Sequence, residues 1–138
     1  MGYEGLLVAE REIEVNNYDI DAMGIVSNIV YIRWFEDLRK IFINEYMTFS
    51  EMMKQHISPI LMKTEIEYKV PITIHDKPVG RCWFVKGGRM KWVFQFEITS
   101  GDKVQCIGQQ TGGFLDLEHQ RVTKMPEVFQ NLLKYVKV

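Results

Sequence analysis

Residues 17–39 run from a polar loop with two acidic side chains into a strongly apolar segment. Large apolar side chains recur there at three- and four-residue steps, which is the period of an amphipathic α-helix. The stripe consists of Tyr31, Trp34, Phe35, Leu38, Ile41, Phe42 and Tyr46. Ser27 or Asn28 is a suitable N-cap, because either side chain can accept from a free backbone N–H of the first turn. We therefore predict one long, well-buried helix behind an acidic loop.

The acidic loop places Asp19 and Asp21 just ahead of this helix. The N-terminus of a helix favours nearby negative charge, and its free N–H groups can bind an oxyanion. A carboxylate beside an oxyanion site is an arrangement suited to acyl transfer. Asp21 lies too far before Ser27 to cap the helix, which favours a chemical role, whereas Asp19 is typical of an acid that holds a loop through backbone hydrogen bonds.

Length and charge limit the classes of protein that this chain can belong to. Its 138 residues suffice for one domain with a full hydrophobic core. The net charge of −1 carries no global signal for binding nucleic acid or an anionic membrane surface. No apolar run approaches the length of a membrane span, and the first residues lack the basic start of a signal peptide.

The cysteines and histidines do not form a metal-binding pattern. Cys82 and Cys106 lie in apolar, strand-like runs without metal-like spacing, so we predict buried free thiols in a reducing cytoplasm. His56, His75 and His119 fall in predicted turns without partners, so they are predicted to be solvated. Neither a metal nor a cofactor is expected.

The remainder of the chain reads as strands and two shorter helices. We predict strands over residues 6–15, 60–70, 79–86, 90–98 and 103–116, with Ser50 capping a short helix and Ser58-Pro59 ending it. Glycines 108, 112 and 113 indicate bulges or close contacts in the last long strand, and Pro126 opens a terminal helix. The order of strand, long helix and four-strand meander predicts an α+β fold with the sheet wrapped on the helix. Its exposed edge predicts a homodimer at least.

A longer motif now resembles a known family. The motif is Asp19-x-Asp21-x-x-Gly24-Ile25-Val26-x-Asn28-x-x-Tyr31-x-x-Trp34-Phe35-Glu36-x-x-Arg39. It resembles the signature of hotdog-fold acyl-CoA thioesterases, of the 4-hydroxybenzoyl-CoA thioesterase type and its Tol-Pal-associated relatives. The order of the elements matches as well, so the resemblance covers nearly the whole chain. It implies a single hotdog domain over residues 1–138, with one long central helix wrapped by a five-stranded antiparallel sheet, plus a C-terminal helix.

The resemblance also implies roles for particular residues. Asp21, the second acid of the pair, matches the catalytic carboxylate of the family. The backbone N–H that polarises the thioester carbonyl falls on Asn28, and Tyr31 is a candidate for lining the acyl pocket.

The same family binds the phosphates of CoA with basic residues around a hairpin. Arg89 and Lys91 match those positions, with Lys86 nearby, while Met90 replaces the middle basic residue. Ile25 stands where plant-type acyl-carrier-protein thioesterases carry a histidine, which argues against that branch and against hotdog dehydratases.

The predicted function is hydrolysis of an acyl-CoA thioester by a cytoplasmic homodimer or homotetramer whose sites lie between subunits. Asp21 can act as a nucleophile or as a general base, and the pattern does not separate the two. The acyl group, aliphatic or aromatic, and the carrier, CoA or acyl-carrier protein, stay open. One alternative is a hotdog module that binds acyl-CoA or a partner without hydrolysis. Another is a cone-shaped, isomerase-like pocket protein, although that fold usually opens with helices.

Overall fold

The structure is a computed structural model that describes residues 7–133 and 136. Its elements in chain order are β1 (Ala9–Glu12), a 3₁₀ turn (Asn17–Asp19), α1 (Val30–Tyr46), α2 (Phe49–Lys54), β2 (Ile57–Tyr68), β3 (Val79–Gly87), β4 (Trp92–Ser100), β5 (Lys103–Asp116), β6 (Arg121–Thr123) and α3 (Glu127–Leu132). The start of the predicted first strand, at residue 6, lies outside the described residues. No helix within the described ranges is long and apolar enough to cross a membrane.

The strands form one antiparallel sheet in the order β1-β3-β4-β5-β2, with β6 attached to the end of β5. The sheet has six strands rather than five, because the three residues of β6 pair with the end of β5. The predicted four-strand meander is wrong for β2, which pairs with β5 and not with β3. The connection over residues 69–78 is too long for a tight hairpin, so it lets β2 cross to the far edge.

The helix α1 packs its apolar stripe onto the concave side of this sheet, as the helical periodicity predicts. The ring of Phe35 stacks on Phe96 at 4.4 Å between centroids, and Phe42 contacts Phe84 and Phe94 at about 5 Å. A Cβ at position 108 would collide with the Phe35 ring, and one at position 112 with the Trp92 indole. The predicted close contacts at these glycines are therefore confirmed.

The N-terminus of α1 differs from the prediction. The capping position is Ile29, without a side-chain cap, so neither Ser27 nor Asn28 is the N-cap. The backbone N–H of Val30 instead donates to the Ser27 carbonyl at 3.0 Å. A tight turn thus leads the chain into the helix. A backbone carbonyl satisfies the first free N–H of the helix, where the sequence predicted a side-chain cap.

The short helix α2 and the start of β2 also differ from the prediction. Thr48, not Ser50, caps α2, and Glu51 completes a capping box with it. The predicted break at Ser58-Pro59 is wrong, since both residues lie inside β2. Proline is tolerated there because β2 is an edge strand, with one side of its backbone unpaired within the described chain.

The buried cysteines agree with the prediction. Cys82 and Cys106 are both free thiols and fully buried. Burial raises the pKa of Cys106 to about 12 and raises the pKa of Cys82 as well, so both stay protonated at neutral pH.

Candidate functional site

The side chain of Asp21 closes the loop in which it lies. Its Oδ1 accepts hydrogen bonds from the backbone N–H groups of Met23, at 2.8 Å, and Ile25, at 3.4 Å. The Gly24 N–H donates to the Asp21 carbonyl, and the φ of +81° at Gly24 suits a residue without a Cβ. No described residue donates to Oδ2, so that oxygen is available to a substrate or to water.

The Asp21 loop is anchored on the connection between β2 and β3. The Val26 N–H donates to the Ile72 carbonyl at 2.8 Å, and Ile25 forms an isolated bridge with Thr73. Asp76 holds this connection, because its Oδ2 accepts from the Thr73 N–H at 2.9 Å and from Gln105 Nε2 at 3.1 Å. These bonds, the Thr73 amide first, lower the pKa of Asp76.

Asp19 has the supporting role that its position predicts. It is 4% exposed, and its carboxylate accepts from the backbone N–H of Asn16 at 2.9 Å. Its carbonyl accepts from the Ser27 N–H, also at 2.9 Å. Asp19 therefore ties both ends of the loop together and leaves Asp21 as the acid at the surface.

The start of α1 is held in place by a tyrosine from β2. The Tyr68 hydroxyl donates to the carbonyl of Asn28 at 2.9 Å. The rings of Tyr68 and Tyr31 meet edge to face at 5.0 Å, and Tyr31 packs on Trp34. Burial raises the pKa of Tyr31 to about 12. Tyr31 is thus a buried, neutral residue in the core of the described chain.

Exposed apolar side chains lie close in sequence to Asp21 and Asn28. Tyr18, Met23 and Ile29 are 81%, 82% and 70% exposed. Asp21 itself is exposed and lines none of the principal cavities formed by residues 7–133 and 136. A single chain therefore presents Asp21 on an open, partly apolar surface. One chain alone does not enclose a reaction site around this acid.

The predicted phosphate-binding residues lie at the other end of the sheet. Lys86, Arg89 and Lys91 are exposed around the hairpin between β3 and β4. The Asp21 loop docks instead near Gln105, beside the turn between β4 and β5. The nine residues of β4 separate these ends by roughly 30 Å. Within one chain the structure does not bring the basic residues and Asp21 together.

A cavity of about 650 Å³ lies between α1, α2 and the start of β2. Its lining includes Glu36, Arg39, Lys40, Phe49, Ser58 and Pro59. Glu36 pairs with Lys40 on the surface of α1, at 3.7 Å. Arg39 instead reaches inward and donates to Gln110. Its spacing of four residues from Phe35, on the edge of the apolar stripe, is the signal that could have shown this.

A turn after β5 groups three residues that can ligate metals. Potential ligand atoms of Asp116, Glu118 and His119 lie within 4.8 Å of one another. His119 is exposed as predicted, and its Nδ1 lies 2.8 Å from Asp116 Oδ2. Asp116 Oδ1 also accepts from the backbone N–H groups of Glu118 and His119, so the cluster is explained as an exposed Asp-stabilised turn.

A curled antiparallel sheet wrapped on one long helix, with a C-terminal helix beside it, defines a hotdog-like thioesterase fold. The chain belongs to the thioesterase-like superfamily, whose family model matches residues 15–133.

Individual relatives agree with this assignment. The chain is 29% identical over 92 residues to "Putative acyl-CoA thioesterase YneP" of Bacillus subtilis, a match that covers 66% of this chain and 67% of that protein. The hypothetical protein SAV2348 of Staphylococcus aureus, solved in complex with CoA, superimposes with a TM-score of 0.88 at 12% identity, over 96% of this chain and 88% of that one. The DHNA-CoA thioesterase of Staphylococcus aureus gives a TM-score of 0.80 at 22% identity, over 93% and 87%.

Proposed function

We propose that the protein is an acyl-CoA thioesterase that hydrolyses an acyl or aroyl thioester to the free acid and CoA. The observation that carries this proposal is the free Oδ2 of Asp21 in the loop that leads into α1, in a chain of the thioesterase-like superfamily. The relatives named for acyl-CoA and DHNA-CoA hydrolysis support the reaction class. The 4-hydroxybenzoyl-CoA type stays a prediction.

In the proposed mechanism, backbone N–H groups near Asn28, at the start of α1, polarise the thioester carbonyl. As a nucleophile, Asp21 adds to the carbonyl carbon, the C–S bond breaks, and water then hydrolyses the mixed anhydride. As a general base, Asp21 takes a proton from the water that attacks. The CoA thiolate leaves in either case without a dedicated acid, because a thiol is a fairly strong acid.

We infer that a second copy of the chain completes the site. The 12-residue strand β2 has a free edge within the described chain, and exposed apolar side chains lie both on β2 and around Asp21. Two β2 edges related by a two-fold axis pair antiparallel, so the start of one β2 lies beside the end of the other. The cavity at Ser58 and Pro59 of one chain then abuts the Tyr68 and Asn28 of the second.

The same assembly accounts for the position of the basic residues. Lys86, Arg89 and Lys91 lie at the sheet end remote from Asp21, so they serve an acyl-CoA held by the Asp21 of another chain. CoA thereby spans a subunit boundary, with its phosphates on one protomer and its thioester on another.

The test of the catalytic acid is Asp21→Asn. Asparagine keeps a side-chain oxygen for the N–H groups of Met23 and Ile25, so the loop is preserved while the carboxylate is lost. We expect kcat on a good acyl-CoA to fall by about 100-fold or more. Asp102→Asn, in the exposed turn between β4 and β5, is the matched control. Turnover of the Asp21 variant within a few-fold of the parent removes Asp21 from the mechanism.

Isotope labelling separates the two roles of Asp21. In a single turnover in ¹⁸O-water, label in the Asp21 carboxylate identifies a nucleophile whose mixed anhydride is opened by water at the Asp21 carbonyl carbon, whereas a general base directs the label only into the product acid.

The second candidate is acyl-CoA binding without hydrolysis. This candidate is favoured because Asp21 Oδ1 accepts hydrogen bonds from the backbone of its own loop, which gives Asp21 a structural role that requires no catalysis. Calorimetry that shows binding of an acyl-CoA, with no free thiol released over hours, supports this candidate over the enzyme.

A further inference from the structure

The cavity between α1, α2 and β2 contains one cation, Arg39, that forms no close ion pair with a carboxylate of the described residues, although the charge of Glu36 acts on it from farther away. Among its charged lining residues, Glu36 and Lys40 neutralise each other at 3.7 Å. Arg39 lies on the same wall, and no carboxylate of the described residues is within ion-pair distance of it. The cavity therefore carries a net positive charge at Arg39. Its volume of about 650 Å³ suits a small organic ligand.

The guanidinium of Arg39 is fixed by two contacts on its inner side. It donates from Nη1 to Oε1 of Gln110, which is 1% exposed and is itself oriented by donating to Thr64 Oγ1 at 3.2 Å. It also lies over the Trp92 ring, 5.5 Å from the centroid. Partial burial lowers the pKa of Arg39, but the group stays charged because its ordinary pKa is so high.

These contacts leave most of the guanidinium donors unused. A guanidinium has five N–H donors, and Gln110 takes one of them. No buried side-chain nitrogen or oxygen of the described residues lacks a hydrogen-bond partner, so the remaining Arg39 nitrogens can be reached from the cavity or from solvent. A planar, pre-oriented fork with free donors matches a carboxylate bidentately.

We propose that Arg39 binds a carboxylate at the far end of the acyl group, so that the substrate class is a CoA monothioester of a dicarboxylic acid. This inference rests on the proposed thioesterase function and names the substrate of the same site. In the proposed dimer the cavity of one chain opens beside Asn28 and Asp21 of the other. The thioester end and the carboxylate end of one acyl group are then held by different protomers.

The test compares adipoyl-CoA with hexanoyl-CoA, which have acyl chains of equal length and differ in the terminal carboxylate. We expect the wild-type kcat/KM to be about tenfold or more higher for adipoyl-CoA. Arg39→Gln should abolish this preference, and Arg39→Lys should retain part of it because it keeps the charge. Arg33→Gln, the same change on the exposed side of the same helix, should leave the preference as it is.

Two results bear on the inference and on the proposed function separately. If the wild type hydrolyses both esters equally, or if Arg39→Gln keeps the adipoyl preference in a variant of unchanged melting temperature, the inference is overturned and the thioesterase function stands. If neither ester is hydrolysed, the proposed function fails for these substrates. The ratio of their dissociation constants, measured by calorimetry, then decides the inference.

Mixed dimers test the placement across two chains. Equal amounts of the Asp21→Asn and Arg39→Gln chains are unfolded and refolded together, so that about half of the dimers contain one chain of each kind. If the site takes Asp21 from one chain and Arg39 from the other, each mixed dimer contains one site with both residues intact. Adipoyl-CoA hydrolysis should then recover to about a quarter of the wild-type rate. Without recovery above the sum of the two parents, the two residues do not act across the subunit boundary.

Discussion

Tyr68 is the residue that connects β2 to the start of α1. Its hydroxyl donates to the Asn28 carbonyl, and its ring packs on Tyr31, so it fixes the peptides that the proposed mechanism uses. Tyr68 does not need to touch the substrate for this; it acts as a positioning residue.

We expect Tyr68→Phe to lower kcat by about three- to tenfold with little change in KM. The ring contact with Tyr31 is preserved, and the loss of one hydrogen bond costs about 1 kcal/mol of the free energy of unfolding. Steady-state kinetics and urea unfolding measure the two effects. An unchanged kcat alongside lower stability would assign Tyr68 a purely structural role.

At the scale of elements, the connection between β2 and β3 supports the catalytic loop. Ile72 and Thr73 pair with the Asp21 loop, and Asp76 holds Thr73 and Gln105. A change at Asp76 therefore reaches Asp21 through backbone contacts, although the two carboxylates belong to different loops.

We expect Asp76→Asn to lower the free energy of unfolding by roughly 1 kcal/mol at pH 7, because the charged acceptor is lost. The pKa of Asp76 is lowered in the folded chain, so the unfolded chain binds more protons between the two pKa values, and the contribution of Asp76 to stability is lost as the pH is lowered through that range. The difference between parent and variant should be complete above about pH 5 and should shrink below about pH 4.

Urea unfolding of the parent and of Asp76→Asn at several pH values measures this difference. A gap of constant size down to about pH 3 would show that the carboxylate charge of Asp76 does not stabilise the fold.

At the scale of the molecule, the free edge of β2 predicts self-association. Leu61 and Met62 are each 42% exposed near the middle of this strand, where a two-fold axis would pass. Burial of the apolar surface around Asp21 by the same contact would give the reaction site its second wall.

We expect light scattering to give at least twice the mass of one chain, and Met62→Glu to shift the protein towards monomer. The substitution brings two like charges together near the axis, which disfavours pairing. Val122→Glu places the same change on β6, where Val122 is 37% exposed, and should leave the association intact. A monomeric parent at micromolar concentration contradicts the proposed dimer.

Several features of this protein follow from local pattern alone. The stripe that starts at Tyr31 determines α1 and its buried face, because helical period and apolar burial act over a few residues. The alternation in β2 and β4 likewise determines where strands lie, and Pro126 marks the start of α3. The local pattern also predicts that Asp21 lies in a loop, because the polar residues around it precede the apolar stripe of α1.

Only the tertiary structure decided what lies next to what. In the folded chain β2 pairs with β5 at the edge of the sheet, and Arg39 points inward to Gln110. Lys86 and Asp21 lie at opposite ends of the sheet. These outcomes depend on contacts between residues far apart in the chain, whose energies no short window of sequence contains. The periodicity of the sequence therefore determined the elements and the candidate acid, and the packing of the sheet on α1 decided the cavity and the free edge that a second chain can complete.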